Sequence, residues 1–199
     1  LDKEDMPVDD LSLLIAEAWF RKRDYKNASP RYKEYLEGRE SAPRTVYYRA
    51  GVSAWSTGND EDALTYLKQA ASAADSVGMH ASYLLGSVYL KRNEKPLALT
   101  AFETSKKFKQ DPALAEESLF LSAKINYDLG RADVSINEFE SVLEQYPQST
   151  HTQEIKELLA QAYINANNVN KAIAYIESLS QRSIAVDRAY QKATYLKGT

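Results

Sequence analysis

The residues suited to acid–base or metal chemistry do not form a recognisable catalytic set in this chain. The two histidines, His80 and His151, lie far apart in the sequence, so neither a shared metal ion nor a catalytic pair is expected. The segment 58–62, Gly-Asn-Asp-Glu-Asp, is acidic like a calcium-binding loop. It lacks the alternating oxygen ligands and the bidentate Glu that ends such a loop. Its acidic residues fit the positive N-terminal end of a helix better. With no cysteine, no zinc-protease motif and no phosphate or dinucleotide loop, the sequence predicts neither an enzyme nor a cofactor.

Small residues recur at a nearly constant interval along the whole chain. Each lies 35 to 38 residues after the last, at Ala16, Gly51, Gly86, Ala123, Ala160 and Gly198. A period of this length is typical of helical repeat arrays. Such arrays bury their core between neighbouring units and present an extended concave face to partners.

Each small residue stands in a similar frame. In several units a large residue lies three positions after the recurring small residue. In each of the first five units a second small residue lies twelve positions after the first, and a large residue lies four positions further along. These pairs are Ala28 and Tyr32, Ala63 and Leu67, Ala98 and Phe102, Ser135 and Phe139, and Ala172 and Ile176. The fourth unit also has Tyr146-Pro147 near its end. This frame resembles the tetratricopeptide repeat (TPR), from about residue 9 to residue 199.

The resemblance implies an all-α fold, a right-handed α-solenoid of antiparallel helix pairs, as a single array. We expect units at about residues 9–43, 44–78, 79–115, 116–152 and 153–186, and a partial sixth unit at 187–199. The partial unit suggests a fragment of a longer array. The alternative is that residues near 188–196 form a capping helix.

Several local signals predict where helices begin and turn. Gly58-Asn59 and Gly130 fit tight turns because glycine tolerates positive φ. Asp111-Pro112 fits the N-cap and first position of a helix. Thr150 with Gln153 fits a capping box. Because Pro30 would break a helix interior, we expect the second helix to start late, with Ser29 as its N-cap.

In the TPR family, positions five, nine, twelve and thirteen of each unit line the inner groove when the small residue is eighth. We therefore expect a partner-binding groove with a band of rings and flanking charges. Its residues would be Leu13, Phe20, Arg21, Tyr48, Trp55, Tyr83, Lys91, Phe120, Lys124, Tyr127 and Asp128. For position twelve, packing between units is an equally good interpretation, whereas for position five we favour exposure in the groove.

The resemblance implies a non-catalytic scaffold that binds a peptide or partner helix in this groove, since aromatic residues and arginine dominate binding hot spots. The alternatives are a structural spacer or self-assembly element, associating through an uncapped C-terminal end, and, with less support, a glycan-binding module.

The formal net charge of −3 does not favour binding to the phosphates of a nucleic acid. No apolar run is long enough to span a membrane. Residues 139–149 are similar to TPR units of bacterial envelope proteins. We therefore expect a periplasmic or outer-membrane-associated protein, with the cytoplasm as the alternative.

Overall fold

The computed structural model of the chain describes residues 8–198, and all regular secondary structure in that range is α-helical. The chain divides into two compact units, with the boundary between Gln110 and Asp111. The helices of the first unit are α1 Val8–Arg21, α2 Tyr25–Leu36, α3 Arg44–Ser56, α4 Asp60–Ala70, α5 Ser76–Lys91 and α6 Lys95–Ser105. Those of the second are α7 Pro112–Asp128, α8 Ala132–Gln145, α9 Thr152–Asn165, α10 Val169–Ser178 and α11 Ile184–Gly198.

Consecutive helices pack as antiparallel pairs: α1 on α2, α3 on α4, α5 on α6, α7 on α8 and α9 on α10. We call the earlier member of each pair the first helix and the later member the second helix. Each second helix also contacts the next first helix within its own unit, and α3 contacts α5 directly. This arrangement gives each unit a continuous core.

The core of each pair depends on a close approach at the recurring small residue. All five, from Ala16 to Ala160, are buried. A Cβ atom added at Gly51 would lie 2.6 Å from Leu67 Cγ, and one at Gly86 would lie 2.7 Å from the Phe102 ring. The large second-helix residues that fill this space, predicted from the repeat frame, are all fully buried: Tyr32, Leu67, Phe102, Phe139 and Ile176.

A three-residue turn of one type joins the two helices of every pair. Its middle residue has positive φ, and the N–H of its third residue donates to a carbonyl five residues earlier, as Asn59 does to Ala54 at 2.9 Å. This is the Schellman arrangement, which satisfies carbonyls at the helix end. Gly58 (φ 79°) and Gly130 (φ 72°) occupy the middle position as predicted. The other three turns place Arg23, Asn93 and Asn167 there.

Two of the local predictions are wrong. Helix α2 begins at Tyr25 with Asp24 as its N-cap, so Pro30 lies inside the helix. The exposed position of Pro30 explains why the helix tolerates it, since the carbonyl of Lys26 that loses its donor can bond water.

The predicted capping box is also absent. Helix α9 begins at Thr152 with His151 as its N-cap residue and no side-chain cap. Ser149 organises this turn, because its hydroxyl accepts from the His151 N–H at 3.1 Å. Asp111, by contrast, caps α7 as predicted and accepts from the Leu114 N–H at 3.0 Å.

Helix α11 packs on α9 and α10 through Val186, Ala189 and Ala193, which are buried. Gly198 makes no close approach, since a Cβ there would meet nothing within 4 Å. It differs in this respect from Gly51 and Gly86.

Replacing Gly86 with Ala should destabilise the protein. The added methyl group overlaps the rigid Phe102 ring, and such overpacking typically costs about 1–3 kcal/mol. The roughly 0.5–1 kcal/mol that Ala gains over Gly in a helix offsets only part of this cost. Urea unfolding followed by circular dichroism measures the difference. The control, Gly198→Ala, should show no loss, and a Gly86→Ala protein as stable as the parent would contradict the close-approach account.

Candidate interaction surface

In the first unit, the predicted rings lie on first helices. Tyr48 and Trp55 are seven residues apart, which places them on one face of α3, and Tyr83 lies on the neighbouring α5. Trp55 is 41% exposed, whereas Tyr48 and Tyr83 are half-buried. Tyr83 packs edge-on to Phe102 with the ring centroids 5.8 Å apart. The rings therefore combine anchoring in the core with a share of open surface.

Helix α1 contributes a partly buried end to this surface. Phe20 packs edge-to-face on Tyr25 and Tyr32, at centroid distances of 5.6 and 6.2 Å. Leu13 packs against the same core cluster. The Phe20 ring, at position twelve of its unit, is therefore anchored in the core. The next residue, Arg21, is exposed to solvent. On α5, Lys91 is exposed and pairs with Asp60 at 2.8 Å.

In the second unit, the predicted groove residue Phe120 is buried. Phe120 is only 3% exposed because the His151 ring stacks on it at 3.8 Å. His151 Nε2 in turn lies 2.7 Å from a Glu117 carboxylate oxygen. The expected exposure of position five is therefore not met at Phe120.

A second side chain, that of Lys124, also covers the Phe120 ring. Lys124 lies over the Phe120 ring at 5.2 Å and pairs with Glu154 at 2.6 Å. Tyr127 is half-buried against the core of its unit, and Asp128 is exposed. The repeat frame does not predict this stack, because His151 lies on the turn that precedes α9.

A polar cluster that the groove prediction missed ties together the first three helices. The Glu17 carboxylate on α1 pairs with the Arg49 guanidinium on α3 and accepts from the Tyr32 hydroxyl on α2 at 3.0 Å. Burial, followed by the charge of Glu17, raises the pKa of the Tyr32 phenol well above its usual value. Tyr32 therefore remains a neutral donor to Glu17 at physiological pH.

Among the described residues, no helix is long and apolar enough to cross a membrane, and no group of three or more His, Cys, Asp or Glu side chains could hold a metal ion. The polar clusters found above are ion pairs and hydrogen bonds between helices. Their geometry suits structural positioning.

Comparison with known proteins resolves the family. A model of the tetratricopeptide repeat matches residues 13–77 and, overlapping them, residues 48–115, and a second model of this repeat matches residues 117–149. The chain belongs to the tetratricopeptide repeat family. The all-α solenoid of helix pairs predicted from the sequence is thereby confirmed. TPR proteins are in general non-catalytic interaction modules. This chain therefore belongs to a class of protein-interaction scaffolds.

Solved TPR structures share the fold at low sequence identity. A MamA protein is 19% identical, with 94% of each chain covered and a TM-score of 0.64. MamA from Desulfovibrio magneticus RS-1 is 16% identical, with 96% of this chain and 95% of that chain covered and a TM-score of 0.60. YrrB, described as a TPR protein with an unusual peptide-binding site, is 20% identical, with 94% and 91% covered and a TM-score of 0.65. No curated protein matches the chain.

Replacing Glu17 with Ala should destabilise the first TPR pairs. The change leaves the buried Tyr32 hydroxyl without its acceptor and Arg49 without its carboxylate, and an unsatisfied buried polar group costs about 1–3 kcal/mol. Urea unfolding measures the loss.

Glu61→Ala is the matched control, because the Glu61 carboxylate is 80% exposed where it pairs with Arg92. Exposed pairs of this kind contribute roughly 0–1 kcal/mol. Equal stability losses in the two variants would show that Glu17 does not tie the helices together.

Proposed function

We propose that this TPR chain binds an extended peptide segment of a protein partner on the first-helix face of residues 8–110. We call this face, defined by Phe20, Tyr48, Trp55 and Tyr83, the ring surface. The observation that carries the proposal is Trp55, a large ring left 41% exposed on the same face of α3 as the half-buried Tyr48. The half-buried Tyr83 lies on α5, which packs against α3. An exposed cluster of apolar surface favours a binding partner.

The anchoring of the rings supports a binding role. Phe20 packs on Tyr25 and Tyr32, and Tyr83 packs on Phe102, so these side chains need little ordering when a ligand arrives. Preorganised aromatic side chains lose less conformational entropy on binding than flexible ones. Aromatic rings are also the residue type most enriched in binding hot spots.

The comparisons support a peptide as the ligand class at the level of analogy. Membership of the TPR family favours a protein or peptide partner, and YrrB carries a peptide-binding site by its own description. The partner itself is not identified by this likeness. The expected location in a bacterial cell envelope also stays a prediction.

Selection of dodecapeptides from a random phage-displayed library tests the proposal. Enriched peptides should bind with Kd values that rise about tenfold or more in Trp55→Ala and Tyr48→Ala, because a truncated hot-spot ring typically costs about 2 kcal/mol or more. Fluorescence polarisation of the labelled peptides measures Kd, and circular dichroism checks that helicity is retained.

Leu97→Ala is the control, since Leu97 is an exposed apolar residue on the second helix α6. It should leave Kd unchanged. The proposed function would be contradicted if the selection enriched no peptide. It would also be contradicted if the enriched peptides bound the Trp55→Ala and Tyr48→Ala variants with the same Kd as the parent.

A second candidate function is self-association through α11. Two of its apolar side chains, Ile184 and Tyr195, are 74% and 72% exposed. If α11 mediates assembly, sedimentation velocity should show a mass that rises with concentration, and Tyr195→Ser should suppress the rise. A monomer over the whole concentration range would exclude this role, and Thr194→Ser, an exposed neighbour, serves as the control.

A further inference from the structure

A cavity of about 380 Å³ opens beside the ring surface and is lined by Glu17, Phe20, Arg21, Arg23, Tyr25 and Arg49. Three guanidinium groups and one carboxylate give its lining a formal charge of +2, in a chain whose formal net charge is −3. The charge of this cavity is therefore opposite to that of the protein as a whole.

Glu17 neutralises only one of the three arginines, because it pairs with Arg49. Among the side chains that the structure describes, those of residues 11–198, no carboxylate forms an ion pair with Arg21 or Arg23. The corresponding cation of the third pair is different, since Lys91 is paired with Asp60 at 2.8 Å. Two guanidinium groups at one cavity thus keep their hydrogen-bond donors available to a ligand.

The backbone at Arg23 gives a second and independent observation. Arg23 has φ 57° and occupies the middle of its turn, where the other four pairs have Gly58, Asn93, Gly130 and Asn167. Glycine and asparagine tolerate this left-handed conformation, whereas an arginine there is strained. Strained residues of this kind cluster at ligand-binding sites, where another gain maintains them.

The cavity is continuous with the ring surface. Phe20 belongs to both, and its ring lies 5.6 Å from that of Tyr25 in the cavity wall. A peptide lying on the rings can therefore reach the arginines.

We infer that Arg21, Arg23 and Arg49 form a site for anionic oxygen groups of the peptide ligand, which makes the preferred partner an acidic segment next to an aromatic or aliphatic residue. This inference rests on the proposed function. Guanidinium groups bind carboxylate and phosphoryl oxygens through paired N–H donors. The charge of +2 is matched by two carboxylates or by one phosphoryl group.

The composition of the selected dodecapeptides tests the inference. Peptides enriched on the parent protein should carry neighbouring Asp or Glu residues, and their Kd should rise about tenfold in the Arg21→Gln, Arg23→Gly double variant, the loss expected for charge-assisted hydrogen bonds. Replacing the acidic pair of one such peptide with Gln-Gln should cause a similar loss on the parent and little further loss on the variant. Raising the salt concentration should weaken the acidic peptide more than the Gln-Gln peptide.

Two controls separate binding from folding and from net charge. Arg23→Gly relieves the strained backbone, so its Tm should be equal to or above that of the parent while its affinity falls. Lys22→Gln removes the same charge one residue away, at a side chain that lies over Trp19 and does not line the cavity. It should change Kd little.

The outcomes distinguish this inference from the proposed function. Enriched peptides that depend on Trp55 but carry no acidic residues, or that bind the double variant as well as the parent, overturn the inference and leave the proposed function standing. Failure to enrich any peptide overturns both. A peptide with phosphoserine in place of the acidic pair tells the two sources apart: tighter binding that depends on Arg21 and Arg23 favours a phosphoryl ligand, and weaker binding favours carboxylates.

Discussion

The structure depends on one steric constraint, the close approach of two helices at a residue with little or no side chain. At Gly86 there is no room for a methyl group against the Phe102 ring, and at Gly51 none against Leu67. A large, fully buried residue on each second helix fills the space that the small residue leaves. Because this contact fixes which face of the first helix is buried, it also fixes which face remains for ligands.

The side chains on the remaining face are held in place by the same packing. Phe20 rests on Tyr32, and Tyr83 rests on Phe102, so the residues that fill the cores also support the rings above them. Glu17 adds a polar tie between the first three helices through Arg49 and Tyr32. The ring surface and the arginine-lined cavity are therefore parts of a preorganised face, which is what an interaction scaffold requires.

Much of the fold could be predicted from the sequence because the repeat frame reports contacts that recur in every pair. The small residues, their large partners and the turns at Gly58 and Gly130 all follow from that frame. Pro30 could not be placed correctly, since whether a helix tolerates proline depends on solvent reaching the released carbonyl.

The candidate site was less predictable for a similar reason. Repeat positions identify which face of a helix a ring occupies, but they do not say what else lies on that ring. Phe120 and Tyr48 hold the same repeat position, yet only Phe120 is covered, by a histidine from a turn outside the frame. The arginine-lined cavity was missed because Arg23 and Arg49 lie outside the groove positions of the repeat.

The fluorescence of Trp55 distinguishes a ring surface that is open to ligands from one that is part of the core. The chain has two tryptophans, so Trp19→Phe leaves Trp55 as the sole reporter. If the ring surface is open, Trp55 should emit at long wavelength and be readily quenched by acrylamide in the free protein. Binding of a selected peptide should then shift the emission to the blue and protect it from quenching. Emission typical of a buried indole in the free protein, unchanged by a peptide that binds, would contradict an open ring surface.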